Sequence, residues 1–168
     1  MFRIVGELAG WGGVGIVAAI LVVAALLSFV VLGGALAVID ARTHRLPNRL
    51  VLPLNAVVIP ALLIAALVIQ DWGGAARTVA GAAAAGGLFL MVHLLAPQAL
   101  GFGDVKLVPW LGALSAWPSW GHLLLAGVLG LFLAGLLATA VLIIKRDRKA
   151  HIAFGPPLIL GTALSLLW

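Results

Sequence analysis

The stretch "VGIVAAILVVAALLSFVVLGGALAVI", residues 14–39, decides the fold class because it contains no charged residue and is longer than a bilayer-spanning helix requires. It is also too long for the apolar core of a cleavable signal peptide, so we expect it to remain as a membrane span. The whole chain is 64% hydrophobic and 9% charged. None of its polar stretches could bury a soluble core, which predicts one membrane-embedded domain over residues 1–168.

Apolar runs separated by polar residues predict an all-α integral membrane protein with six transmembrane helices. The fourth run is short: its residues, at about 1.5 Å each, reach roughly 20 Å, so that helix is tilted, re-entrant or begins earlier. The six spans lie near 14–39, 50–69, 79–96, 105–117, 122–144 and 152–168.

The distribution of basic residues predicts the orientation. Eight of the ten lysines and arginines lie in the first, third and fifth loops, so the positive-inside rule places these loops in the cytoplasm and both termini outside (N-out/C-out). The same rule explains the net charge of +5, and we therefore expect no nucleic-acid partner. Five tryptophans fall at the predicted outer edge, where amphipathic rings concentrate: Trp11, Trp72, Trp117, Trp120 and Trp168.

Two of the five acidic residues reach the same predicted membrane level from separate helices. Asp40 ends the first apolar run, and Asp104, within "GFGDVKL" at 101–107, precedes the fourth. A purely structural interpretation pairs Asp40 with Arg42 or Arg45 and makes Asp104 a helix N-cap. Because ionisable residues at membrane depth are costly, a shared functional site is the other interpretation, and both stay open at this point.

Two facing carboxylates have a definite chemistry. They cannot both ionise easily, so the pair holds one proton. The ionised member can activate a water against a peptide carbonyl while the protonated member donates to the developing oxygen, as in aspartic proteases. Gly101 and Gly103 carry no side chain, which lets an extended substrate backbone approach Asp104.

Three blocks of the sequence stand out together: "IDARTHRLPNRLVLP" at 39–53, "GFGDVKL" at 101–107 and "IAFGPPLILG" at 152–161. They resemble the signature motifs of type IV prepilin peptidases, which are membrane aspartic proteases of the GxGD type. The resemblance implies that Asp40 and Asp104 are catalytic and that Gly155 and Pro156 form a wall of the site.

The resemblance also implies a substrate and a location. In that family the precursor of a prepilin or pseudopilin has a short basic leader, a scissile bond after a glycine and a long apolar helix. The cut would be made at the cytoplasmic face of a bacterial inner membrane. Larger members carry a cysteine-bearing domain that accompanies methylation; since this sequence has no cysteine, it resembles a compact form for which N-methyltransferase activity is not expected.

The residues around the two aspartates can each be given a structural as well as a functional interpretation. Pro47 holds its predecessor extended and Asn48 is suited to cap the second span, although the segment containing Arg45 could also pair with a substrate backbone. Lys106 could lower the pKa of Asp104, making it the ionised member, or could only mark the cytoplasmic surface.

The sequence predicts no cofactor and no metal site, because cysteine is absent and the histidines follow no ligand pattern. The expected partners are the precursor and the lipid bilayer. Small-residue runs at 81–87 and 127–135 predict close helix packing, either within the fold or within a homo-oligomer. Two alternative functions remain: a presenilin-like intramembrane protease, and a small proton or ion transporter that uses the aspartate pair as a relay.

Overall fold

The computed structural model describes residues 1–43, 46–97, 100–145 and 153–168, and every regular element in these ranges is helical. The first long helix is continuous from α2 into α3 through a π-helical turn at Phe29–Gly33. The helices are α1 (Phe2–Ala9), α2 (Gly12–Ser28), α3 (Gly34–Thr43), α4 (Asn48–Val68), α5 (Trp72–Leu95), α6 (Phe102–Ala116), α7 (Trp120–Lys145) and α8 (Gly155–Leu167).

Each predicted span corresponds to a helix, but within the described ranges only four helical segments are long and apolar enough to cross a bilayer. These segments are Gly12–Thr43, Asn48–Val68, Trp72–Leu95 and Trp120–Ile144. The other two helices, α6 and α8, have 15 and 13 residues. The chain is an integral membrane protein, and its two short helices need a separate explanation.

The short helix α6 lies in the middle of the fold. It packs against α4, α5, α7 and α8, and the residues from Trp110 to Ala116 are all buried. A helix that is surrounded by other helices does not have to match the bilayer thickness on its own, because protein rather than lipid satisfies its ends. This position explains why the predicted fourth span is short.

The start of α5 differs from the prediction by seven residues. We expected the third span to begin near residue 79, after Arg77, but the helix begins at Trp72. Asp71 is its N-cap and accepts a hydrogen bond from the Gly74 N–H at 2.8 Å. Arg77 lies within the helix and forms an ion pair with Asp71 at 3.3 Å. The capped N-terminus outweighs the local drop in hydropathy on which the predicted boundary depended.

Helix α1 was not predicted, because eight residues are too few to form a recognisable apolar span. Met1 and Leu8 bury their side chains, and the amino group of Met1 donates to the Leu166 carbonyl at 3.5 Å. The turn into α2 is tight: a Cβ atom on Gly15 would collide with the Leu8 carbonyl. The start of the described chain therefore packs against the end of α8.

Small residues allow the closest helix contacts, as the two small-residue runs predicted. A Cβ atom on Gly81 of α5 would collide with Ala116 and would lie 2.8 Å from the Gly112 carbonyl oxygen of α6. Gly130 of α7 and Gly161 of α8 approach each other similarly. At other glycines of the same runs, an added Cβ atom would have no neighbouring atom within 4 Å; these include Gly87, Gly127 and Gly135. Part of each run therefore packs inside the fold.

Replacing Gly81 by valine is expected to destabilise the protein by about 1–3 kcal/mol, the usual range for overpacking. The added methyl groups must separate α5 from α6, since the obstacles include backbone atoms. Thermal unfolding in detergent, followed by helical circular dichroism, measures the effect. Gly87→Val on the same helix is the matched control, and equal melting temperatures for the two variants would contradict the close contact.

Candidate active site

Asp40 lies near the end of α3 and is buried, with 4% of its surface exposed. Leu36, one turn earlier on the same helix face, is also buried. The π-helical turn upstream adds a residue to one turn of the helix. Since successive residues of an α-helix are about 100° apart, this insertion sets which face of α3 points inward.

The N-terminus of α8 holds the Asp40 carboxylate. The Gly155 N–H donates to Asp40 Oδ2 at 3.0 Å, and Gly155 is the first residue of α8. A helix N-terminus carries partial positive charge and unpaired N–H groups, so it favours an ionised carboxylate. Pro156 and Pro157 follow in the first turn, where proline is tolerated because its missing N–H would have no partner in the helix.

Only a glycine allows this contact. A Cβ atom at position 155 would lie 2.6 Å from Asp40 Oδ2 and 3.3 Å from its Cγ. The sequence placed Gly155 and Pro156 beside the site through resemblance alone. The structure brings Gly155 into direct contact with Asp40, and the close approach is the physical reason for a glycine there.

Asp104 is in the first turn of α6 and is buried, with 8% of its surface exposed. It is not the N-cap that the structural interpretation assumed, because Gly101 holds that position. The backbone N–H of Asp104 donates to the Gly101 carbonyl at 3.1 Å, and the Gly101 backbone hydrogen-bonds to the Asp104 carboxyl group. Asp104 is the third residue of α6, and its carboxyl group bonds to the backbone of the N-cap residue, as the acidic residue of a capping box does.

The Asp104 side chain, which precedes the predicted span 105–117, is an unusually weak acid. Burial, and secondly the negative charge of Asp40, raise the pKa of Asp104 from 3.8 to about 7, although the hydrogen bond with the Gly101 backbone opposes the change. The predicted net lowering of this pKa is therefore not found, and Lys106 is not among the causes of the change. Burial thus favours the protonated form of Asp104.

Both aspartates line one cavity of about 370 Å³. Of the residues predicted to shape the site, the cavity brings Gly101, Gly103 and Asn48 together with the aspartates. The others in the described part of the chain lie outside its lining: Pro47, Lys106, Gly155 and Pro156. Arg45 lies outside the described residues. The lining consists of Asp40, Leu46, Asn48, Gly101, Phe102, Gly103 and Asp104.

Asn48 does not cap α4 with its side chain, which corrects the prediction from the "LPN" sequence. Pro47 is the N-cap, and no side-chain hydrogen bond caps the helix. The Asn48 side chain instead accepts a hydrogen bond from Lys106 Nζ at 3.1 Å. Lys106 also lies over the Phe102 ring, with Nζ 4.6 Å from its centroid. Asn48 and Lys106 thus link the start of α4 to the start of α6.

Phe102 and Asn55 were missed by sequence reasoning, and Leu46 was considered only as part of the segment containing Arg45. Leu46 packs against Gly103: a Cβ atom added to Gly103 would lie 3.1 Å from Leu46 Cβ. Phe102 lines the cavity. Asn55 donates to the Lys106 carbonyl at 2.9 Å and to the Val51 carbonyl at 3.0 Å. Asn55 could have been found, because it is a polar residue in an apolar helix and lies two turns after Asn48 on the same face.

The described residues contain no group of three or more histidine, aspartate or glutamate side chains able to hold a metal ion. Two apolar side chains, Leu46 and Phe102, line the cavity together with the two aspartates, the polar Asn48 and glycine backbone. A buried pair of carboxylates in a cavity can support acid–base chemistry on a bound water.

Comparison with known proteins is consistent with this geometry. The model of the type IV leader peptidase family matches residues 26–144, a range that includes both Asp40 and Asp104. The prepilin leader peptidase/N-methyltransferase of Stutzerimonas stutzeri is 32% identical over 139 residues, or 80% of this chain and 46% of that protein. The chain thus spans about half the length of this curated relative. No solved structure gives a significant match.

Proposed function

The chain belongs to the type IV leader peptidase family, and on that premise we propose that it is an aspartic endopeptidase that removes the leader from type IV prepilin or pseudopilin precursors. The observation that carries the proposal is the burial of Asp40 and Asp104, from α3 and α6, in one cavity. The proposed activity is peptide hydrolysis. The described helices would act as a single peptidase domain.

The different surroundings of the two carboxylates support a division of roles. Asp40, which accepts the Gly155 N–H at the start of α8, would be ionised and would take a proton from the attacking water. Asp104 would be protonated and would donate to the carbonyl oxygen of the scissile bond. When the tetrahedral intermediate collapses, Asp40 would give its proton to the leaving amine and Asp104 would take one from the intermediate's hydroxyl group, so the pair again holds one proton.

The proposed topology has six membrane crossings, with both termini outside and the site at the cytoplasmic face of the bacterial inner membrane. The concentration of basic residues in the first, third and fifth loops supports it. The exposed side chains of Trp11, Trp72, Trp120 and Trp168 agree with an outer interface. Trp117 does not contribute to this signal, because it is buried and its indole donates to the Leu62 carbonyl at 3.0 Å.

A reconstitution experiment tests the proposed function. Membranes containing the protein are mixed with a precursor that carries a basic leader, a glycine before the scissile bond and a following apolar helix. We expect a single cut after that glycine, identified by mass spectrometry of both products. An intact precursor in the presence of folded, membrane-inserted protein would contradict the proposal.

Cleavage is expected to decline as the pH rises, with a midpoint of about 7, because Asp104 then loses the proton that it donates. The same ionisation predicts the pH dependence of stability. A pKa raised above its unfolded value favours the folded state at low pH, and this advantage is lost as the pH rises from about 4 to about 7.

Unfolding of wild type and of Asp104→Asn from pH 5 to 9 measures this dependence separately from catalysis. The wild type should lose stability relative to the variant as the pH rises towards 7, because only the wild type ionises at this position. Parallel stability curves for the two proteins would show that Asp104 does not titrate in this range.

A further inference from the structure

A second cavity, the lateral groove, lies beside the catalytic cavity and has a volume of about 340 Å³. Its lining comes from four helices: α5, α6, α7 and α8. Its floor includes Val108, Leu111 and Ser115 of α6, and Leu158 of α8 contributes to its lining. Neither aspartate lines it, and it shares no lining residue with the cavity that contains them.

Two residues of the groove lining follow the aspartate site along α6 and α8. Val108 is one helical turn after Asp104 on α6, and Leu158 is about one turn after Gly155 on α8. From Val108 to Ser115 the floor extends for two turns, or about 10 Å along the helix axis. A chain cut at the aspartates could therefore continue directly into this groove.

The sides of the groove face the surroundings of the helix bundle. Leu88 of α5 and Leu124, Val128 and Leu131 of α7 line it, and each of these side chains is more than half exposed. A groove lined by apolar side chains and open at its side accepts one face of an apolar helix through side chains spaced at i, i+4 and i+7.

One polar atom in the floor distinguishes a peptide occupant from a lipid chain. The Ser115 side chain is 1% exposed, and its hydroxyl has no hydrogen-bond partner within the part of the chain that the structure describes. A buried hydroxyl without a partner is unfavourable. A peptide helix could supply a carbonyl or side-chain acceptor, whereas a lipid acyl chain has none.

We propose that the lateral groove binds the apolar helix that follows the scissile bond of the precursor, and so aligns that bond with Asp40 and Asp104. This inference rests on the proposed function, since it assigns the substrate-binding surface of the same site. The apolar helix would enter sideways from the bilayer, while the basic leader would remain in water.

Cross-linking tests the groove without requiring catalysis. Because the chain has no cysteine, Gly127→Cys, placed in the groove lining, introduces a unique thiol. It is combined with Asp104→Asn and with precursors carrying single cysteines along the apolar helix. We expect cross-links at precursor positions spaced three to four residues apart. Gly135→Cys is the matched control, because it lies on the same helix outside the lining and its built Cβ also meets nothing within 4 Å.

A kinetic experiment uses the same pair of glycines. Gly127→Leu should fill the groove and raise KM for the membrane precursor about tenfold with little change in kcat, whereas Gly135→Leu should behave like wild type. A short soluble peptide that contains the leader and the scissile bond, but lacks the apolar helix, should be cut equally by all three proteins.

The results separate the two proposals. Cross-linking no stronger at position 127 than at position 135, together with an unchanged KM in Gly127→Leu, would overturn the groove proposal and leave a lipid chain as its occupant. In that case wild-type cleavage would still be observed. Failure of the proposed function would instead appear as absence of cleavage by the wild type on both substrates.

Discussion

Asp40→Asn and Asp104→Asn should each reduce precursor cleavage by at least about 1,000-fold. Each substitution keeps the size of the side chain and removes its ability to exchange a proton, and loss of a general acid or base typically lowers rates by about 100- to 10,000-fold. Both carboxylates are buried in one cavity, and each would take a different part in the reaction. The measurement is the initial rate of leader removal in membranes at pH 6.5.

Two controls show whether such losses of cleavage rate arise from the catalytic step rather than from less protein or from misfolding. Glu7→Gln makes the same acid-to-amide change at an exposed position outside the cavity and should leave the rate unchanged. Protein amount and helical content should equal those of wild type in all variants. Near wild-type cleavage by either aspartate variant would disprove the two-aspartate mechanism and would favour the relay alternative, which a proton-flux assay in vesicles then tests.

Gly155→Ala should lower kcat/KM about 100-fold while the protein still folds. The added methyl group would lie 2.6 Å from Asp40 Oδ2. Because a carboxylate at the end of a side chain can rotate away, the backbone has no need to move. The displaced Asp40 would lose the 3.0 Å hydrogen bond from the Gly155 N–H and its position relative to the water. Misplacement of a catalytic group by about 1 Å is sufficient for an effect of this size.

The matched control for this variant is Gly87→Ala, another helical glycine, whose built Cβ meets nothing within 4 Å. It should retain wild-type kcat/KM, and both variants should melt within a few degrees of the wild type. If Gly155→Ala were as active as Gly87→Ala, the contact between α8 and Asp40 would have no catalytic importance.

The membrane class and the helix positions could be predicted from the sequence because they depend on local composition. Every predicted span corresponds to a helix, since long apolar runs such as 14–39 have no other stable conformation in a bilayer. The largest error, at the start of α5, arose from a cap and an ion pair that hydropathy does not record. The helix α1 was missed because it is too short to give an apolar run.

The candidate site was predicted only in part. Asp40 and Asp104 were identified by their rarity and their common membrane level, and the family resemblance added Gly155 and Pro156. The partners of Asn48 and Lys106 were not predicted, because a hydrogen bond between residues 58 positions apart depends on how α4 packs beside α6. Asn55 acts across the same helix contact.

By itself, the sequence determined that this protein resides in a membrane, that its helices follow its apolar runs, and that two aspartates are candidates for chemistry. These conclusions require only local hydropathy and the cost of placing charge near lipid. The tertiary structure alone decided that Asp40 lies against the N-terminus of α8 and that Asp104 is buried near it. Those surroundings raise the pKa of Asp104 and give Asp40 a backbone N–H donor. Sequence alone could not supply either effect, because burial and hydrogen bonding depend on neighbours that are distant in the chain.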